Sequence, residues 1–144
     1  HPQEVDLEAY RALARERPQV VTFVAHGERP LAELIGECEV LVTRFSTTAM
    51  EANLVGKLVL TVNLGGGRDQ YPYAEEGGAV AARSCEEILP VLRRLLTDQV
   101  TRQRLAQSRR RFIERHVGPA DGRATERIAA IIAERAARDT PQPP

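Results

Sequence analysis

The amino-acid sequence predicts an α/β fold: a Rossmann-like parallel sheet flanked by helices, followed by a helical C-terminal segment. Two observations carry that expectation. Residues 20–24, 40–42 and 58–62 are short β-rich runs without polar alternation, the pattern of strands buried on both faces. Helical segments lie between these runs, as in a parallel sheet whose crossovers cover it, and the chain reads as helix throughout after Ser84.

The elements follow in order. Residues 4–17 place Val5, Leu7, Tyr10, Leu13 and Ala14 near one face at helical spacing, and Pro18 stops the helix. The run 20–24 is a candidate strand ending in a His26-Gly27 turn, after which Pro30-Leu31 opens a helix closed at Gly36. Residues 40–42 form the next strand, and Ser46-Thr47-Thr48 marks its passage into a helix that runs to Leu54 and stops at Gly56. Residues 58–62 make another strand, followed by a loop from Gly65 to Tyr73, a short last strand at 79–81, and helices over 84–97, 99–116 and 122–138. Pro141 to Pro144 form a tail without packing potential.

With 144 residues, 42% of them hydrophobic, the chain fits one domain with a real core, expected over residues 1–140. Twenty basic residues balance twenty acidic ones, so no net field draws the protein to nucleic acid or an anionic membrane. All the basic residues but Lys57 are arginine, which reads as coding bias. Arg109-Arg110-Arg111 with Arg102, Arg104 and Arg115 surround an apolar stripe of Leu105, Phe112 and Ile113 and read as a solvated face. Cys38 and Cys85 have no CxxC spacing and no nearby histidine pair, so neither a zinc site nor a redox motif is indicated and a cytoplasmic setting is the default. No apolar run reaches the roughly 18 residues of a membrane span. The start at His1-Pro2, without an initiator Met, suggests a fragment.

The segment 43–52, TRFSTTAMEA, is the most informative. Its hydroxyls stand at the start of a helix, where free backbone N–H groups and the helix dipole favour an anion such as a diphosphate. Glu51 falls about one turn further on, where a carboxylate can accept hydrogen bonds from the vicinal hydroxyls of a ribose. An N-cap serine followed by an ordinary exposed glutamate explains the same residues; the position at a carboxyl strand end, where parallel sheets bind ligands, favours the binding reading.

The stretch ECEVLVTRFSTTAMEANLVGKLVLTVN resembles the strand, Ser-rich turn, Glu-bearing helix, Gly-Lys-Pro and strand of sugar-nucleotide enzymes of the glycosyltransferase B and UDP-N-acetylglucosamine 2-epimerase superfamily, including capsule and teichoic-acid glycosyl or glycerophosphate transferases. His1-Pro2-Gln3-Glu4 resembles a cleft-facing His-Pro turn of that group, and 121–128, DGRATERI, resembles the start of its closing helix, with Asp121 as N-cap candidate. The resemblance spans His1 to about Ala133. It implies an incomplete C-terminal domain of the glycosyltransferase B type, with Ser46, Thr47 and Thr48 on the diphosphate and Glu51 on the ribose. The sequence departs from the pattern in two places: the epimerases carry glycines where Thr47 and Thr48 stand, and Leu58 replaces a proline. Thr47 and Thr48 favour a transferase or a divergent relative over a true epimerase.

The resemblance further implies a UDP- or CDP-linked sugar or alditol as ligand, with no metal and no cofactor beyond that substrate. It also implies an absent N-terminal domain as partner, so that the fragment alone is inactive, and leaves a homo-oligomer open. The remaining alternatives are an epimerase-like domain, a nucleotide-binding module without chemistry, and a purely structural domain. His26, Gly27 and Arg29 are candidates for the base or cleft loop, and His1 for a cleft residue. The loop Gly65-Gly66-Gly67-Arg68 lacks GxGxxG spacing and a Walker ending, so a lid or simple loop is expected, and Tyr71 and Tyr73 suit either stacking on a ligand or packing of the loop. In the strand order 3-2-1-4-5-6 usual for such domains, a vacancy would separate strand 20–24 from strand 40–42. The chain would then rearrange, borrow strands or close the gap directly.

Overall fold

Glycines and strand-forming runs alternate most regularly in the middle of the chain, and there the sheet forms. The computed structural model describes residues 6–139, which fall into two compact units meeting at Cys38 and Glu39. His1-Pro2 and the tail from Pro141 lie outside the described residues.

In the unit before Glu39, α1 spans Glu8–Glu16 and α2 spans Leu31–Glu37. The run 20–24 is not a strand. The N–H groups of Val20 and Val21 both donate to Arg17 O, at 3.0 and 2.8 Å, and residues 21–25 have no regular secondary structure and no ladder partner. Strand propensity describes fitness for a pleated surface beside a neighbour, and no strand among the described residues pairs with this run. Phe23 instead lies under the Arg11 guanidinium of α1, 5.4 Å from its ring centroid. Helix α2 continues through Gly36 and ends one residue later than expected.

In the unit from Glu39, β1 (Val40–Thr43), β2 (Leu58–Val62) and β3 (Val80–Ala82) form a parallel sheet in the order β1-β2-β3. The registers place Val40 beside Leu58 and Leu60 beside Val80. The sheet is therefore sequential, and the vacancy expected beside residues 40–42 does not arise from a strand at 20–24. Between β1 and β2 runs α3 (Thr48–Leu54); after β3 come α4 (Cys85–Thr97), α5 (Gln99–His116) and α6 (Ala124–Asp139).

Central strand β2 is buried on both faces, as its unbroken apolar run requires. Leu58 and Leu60 point one way into a cluster with Ala82, Leu95 of α4 and Leu105 of α5, while Val59 and Thr61 are equally covered on the other face. Burying one such leucine contributes about 1.5–3 kcal/mol. Leu58 also explains its departure from proline: its N–H donates to Glu39 O at 3.4 Å, a bond proline cannot make.

Helix α3 is closed by a Schellman arrangement. Gly56 takes φ +79° while its N–H donates to Asn53 O at 3.1 Å and that of Lys57 to Ala52 O at 2.9 Å. Arg109 of α5 crosses to the same turn, donating to Gly56 O at 2.8 Å and Lys57 O at 3.1 Å, so this member of the arginine-rich face is structural rather than solvated. No residue of α6 described here is buried, and Ile128, Ile131 and Ile132 are more than half exposed. Asp121 stands ahead of that helix rather than capping it directly. It accepts from Arg123 N at 3.0 Å and from Arg127 Nη1 at 2.7 Å, and these bonds, that of Arg127 foremost, hold its carboxyl below the ordinary value.

Candidate functional site

Two loops leave the carboxyl ends of β1 and β2, the edge of a parallel sheet where ligands are bound. The first carries Arg44, Phe45, Ser46 and Thr47 into α3. The N-cap is Thr47, not Ser46, with φ −60° and ψ −16°, helical values that any residue adopts; the glycines of the epimerase pattern are not needed here. Ser46 forms a local turn instead. Its Oγ accepts from Thr48 N at 3.2 Å and shares a hydrogen bond with Thr48 Oγ1 at 2.8 Å.

The amides that follow find partners as well: Ala49 N donates to Ser46 O at 3.1 Å and Met50 N to Thr47 O at 2.8 Å. The start of α3 thus satisfies most of its own donors, and little of the amide array remains to meet an anion. Thr47 and Glu51 stay exposed toward solvent, as do Arg44 and Phe45 in the loop before them.

The second loop is fixed by a polar network that starts at the last position before it. Asn63, 7% exposed, donates from Nδ2 to Gly67 O at 2.9 Å and to Asp69 Oδ1 at 2.8 Å, and its Oδ1 accepts from Gly65 N at 3.3 Å. Asp69 in turn meets Arg83, just after β3, through two parallel hydrogen bonds of 2.9 and 2.8 Å. Burial alone would raise the Asp69 carboxyl, and is the largest single influence, but the Asn63 amide and the Arg83 guanidinium together outweigh it and hold the group below its ordinary value. The expected lid is therefore anchored at its base. Asn63, Arg68, Asp69, Glu75 and Arg83 line a cavity of about 320 Å³ whose remaining wall is Gly66 and Gly67.

Contacts between the loops make them one surface. Tyr73, 3% exposed, packs edge-on against Phe112 of α5 with centroids 5.9 Å apart, and its hydroxyl donates to Ser46 O at 3.2 Å. Tyr73 is thus loop packing, while Tyr71, 5.7 Å away, remains exposed. The chain passes so close to α5 that side chains are excluded: a Cβ on Gly77 would lie 2.6 Å from Ser108 Cβ, and one on Gly78 would lie 2.8 Å from Phe112 Cδ1. Glu76 pins the same stretch to the end of α5, meeting His116 Nε2 at 2.5 Å and Arg115 Nη1 at 3.2 Å; its carboxyl lies below the usual range, the His116 bond being the first cause. On the other side, a guanidinium nitrogen of Arg44 lies 3.5 Å from the point where a Gly65 Cβ would stand.

Ser46, Thr47, Thr48 and Glu51 therefore belong to the β1 edge of this surface, and none of them lines the cavity at the β2 end. His26, Gly27 and Arg29 belong to the unit before Glu39. Gly27 takes φ +86° in an exposed turn, and Arg29 is held by Glu37 at 3.0 and 2.6 Å and by Glu33 at 3.5 Å, pairings led by Glu37 that raise its pKa. His1 lies outside the described residues.

Sequence reading did not single out Arg44, Asn63, Asp69, Glu75 or Arg83, and Arg68 entered it only as part of a loop. Asn63 carried a signal, since an Asn directly after a buried strand is placed to cap the loop that follows. Asp69 and Arg83 carried none, because their pairing depends on where β3 ends.

Among the described residues no group of three or more His, Cys, Asp or Glu side chains is placed to hold a metal ion, and no helix is long and apolar enough to cross a membrane. Cys38 and Cys85 are free thiols. Compared with protein-family models, curated proteins and solved structures, the chain has no match.

Proposed function

We propose that this chain is the donor-binding half of a glycosyltransferase or related transferase, holding a UDP- or CDP-linked sugar or alditol, and that a second domain brings the acceptor and the remaining catalytic groups. The observation that carries this reading is the exposed carboxylate of Glu51, which has no hydrogen-bond or ion-pair partner among the described residues, one turn beyond the hydroxyls at the carboxyl end of β1. An acid without a partner, one turn into a helix that starts at a carboxyl strand end, suits the vicinal hydroxyls of a ribose. Transfer would rest on stabilising the leaving diphosphate by preorganised donors, which requires no nucleophile from this chain. In the same reading the protein works in the cytoplasm, where its two free thiols stay reduced.

Calorimetric titration with UDP, CDP and their sugar or glycerol conjugates tests the proposal. Wild type should bind one of the two series, and Glu51→Ala should weaken it about tenfold or more, the scale of hydrogen bonds to a charged group. Equal binding by both proteins removes the ribose assignment. Turnover that appears only when a partner domain is added supports a transferase over a binding module.

A further inference from the structure

We propose that Glu76 and His116 form a pH-operated latch: protonated His116 holds the crossover between β2 and β3 against α5, and loss of that proton slackens the crossover and, through Tyr73, the loop that enters α3. The device goes beyond the donor-binding reading and stands whichever ligand the chain binds.

The crossover has no side-chain bulk of its own where it meets α5. Gly77 and Gly78 lie too close to Ser108 and Phe112 for a Cβ, so bare backbone contact stands where large side chains would otherwise interlock. Three side-chain links then tie the stretch down. Ser108 Oγ donates to Gly77 O at 3.0 Å, the Tyr73 hydroxyl donates to Ser46 O at 3.2 Å, and Glu76 meets the end of α5. The serine does not titrate, and the tyrosine, its pKa raised by burial first, stays neutral well above pH 8. Only the third link can change its charge near neutrality.

Histidine is the side chain that ordinarily changes charge between about pH 5 and 8. Of the two described histidines, His26 and His116, only His116 meets a carboxylate. Its Nε2 lies 2.5 Å from Glu76 Oε2, its ring packs 4.7 Å from that of Phe112, and it ends α5, where the helix dipole favours a cation. The two side chains are 30% and 26% exposed, shielded enough to feel each other's charge and open enough to exchange protons with solvent. Arg115 Nη1 reaches the same carboxylate oxygen at 3.2 Å, and Glu75 and Arg111, of opposite sign, line the adjoining cavity.

The sign follows from these partners. Glu76, held below its ordinary value by the His116 bond first, is ionised throughout the neutral range, so the bond is charge-assisted while His116 keeps its proton. As pH rises through the histidine range only His116 changes, and the bond loses about half its strength. Arg115 keeps its charge, so the latch slackens and does not release outright.

Amide hydrogen exchange of the full chain from about pH 5.5 to 8.5 tests the latch. The probes are the N–H groups of Gly78 and Ala79, which donate to Tyr73 O at 2.7 and 3.0 Å. Their protection, corrected for intrinsic exchange, should fall about twofold to fivefold with rising pH, the scale of a partly exposed ion pair, and with the same midpoint as the His116 ring signal in the same samples. His116→Gln and Glu76→Gln should each abolish the pH response and leave protection at the low level that wild type reaches in base, whereas His26→Gln should behave as wild type. Protection that is constant with pH, that changes with a midpoint other than that of the His116 ring, whose change survives in either latch variant, or whose change disappears in His26→Gln would overturn the proposal.

Discussion

The loops after β1 and β2 differ in what they keep for themselves. The first is rich in hydroxyls and announces itself in the sequence, yet Ser46 spends its side chain on Thr48, and the following amides are already bonded. The second has an unremarkable composition apart from its glycines, yet a network from the buried Asn63 through Asp69 to the exposed Arg83 fixes its base and leaves Arg68 and Glu75 facing an open cavity. A polar motif at a strand end is thus not equivalent to an available polar surface. Availability depends on which donors and acceptors the fold has already consumed.

Breaking the second loop's anchor should have the largest effect. Asn63→Ala removes three hydrogen bonds at a site 7% exposed, and the cost expected is about 1–3 kcal/mol, read from chemical denaturation, with faster proteolysis between residues 64 and 69. Ser46→Ala should cost less, about 0.5–2 kcal/mol, as the loss of a helix-start hydroxyl does. If nucleotide affinity drops much further than that stability change, Ser46 meets the ligand as well as the helix, and the contrast between the loops narrows.

Acid sharpens the comparison further. The Asp69 and Glu76 carboxyls both lie below their ordinary values of 3.8 and 4.5, so their stabilisation is full above those values and is lost as pH falls through the lower folded ones. Denaturation midpoints followed from pH 6 downward should fall in acid, and Asp69→Asn should flatten its part of that fall. An unchanged acid limb would mean that Asp69 is not held as described. Glu51→Gln, on an exposed helix position, should change stability by no more than about 0.5 kcal/mol, so any binding loss is read cleanly.

Much of the architecture was legible because it rests on local rules. Gly56 ends α3 where a left-handed residue is needed, and the unbroken apolar run of β2 announces a strand covered on both sides. The run 20–24 misled for the complementary reason. Valine and phenylalanine favour a strand only where another strand offers a ladder, and sequence does not reveal the neighbour. The candidate site divides similarly. Glu51 could be placed from helical spacing alone, whereas the Asp69–Arg83 pair spans 14 residues and exists only once β2 and β3 have aligned.

Amide-resolved NMR titration of the full chain with UDP and with CDP tests the central claim most directly. A donor cleft at the carboxyl ends of β1 and β2 predicts that the largest shift changes cluster at residues 44–51 and 64–69 for one of the two nucleotides. Changes confined to α6 or scattered over the surface, or none with either nucleotide, would contradict it.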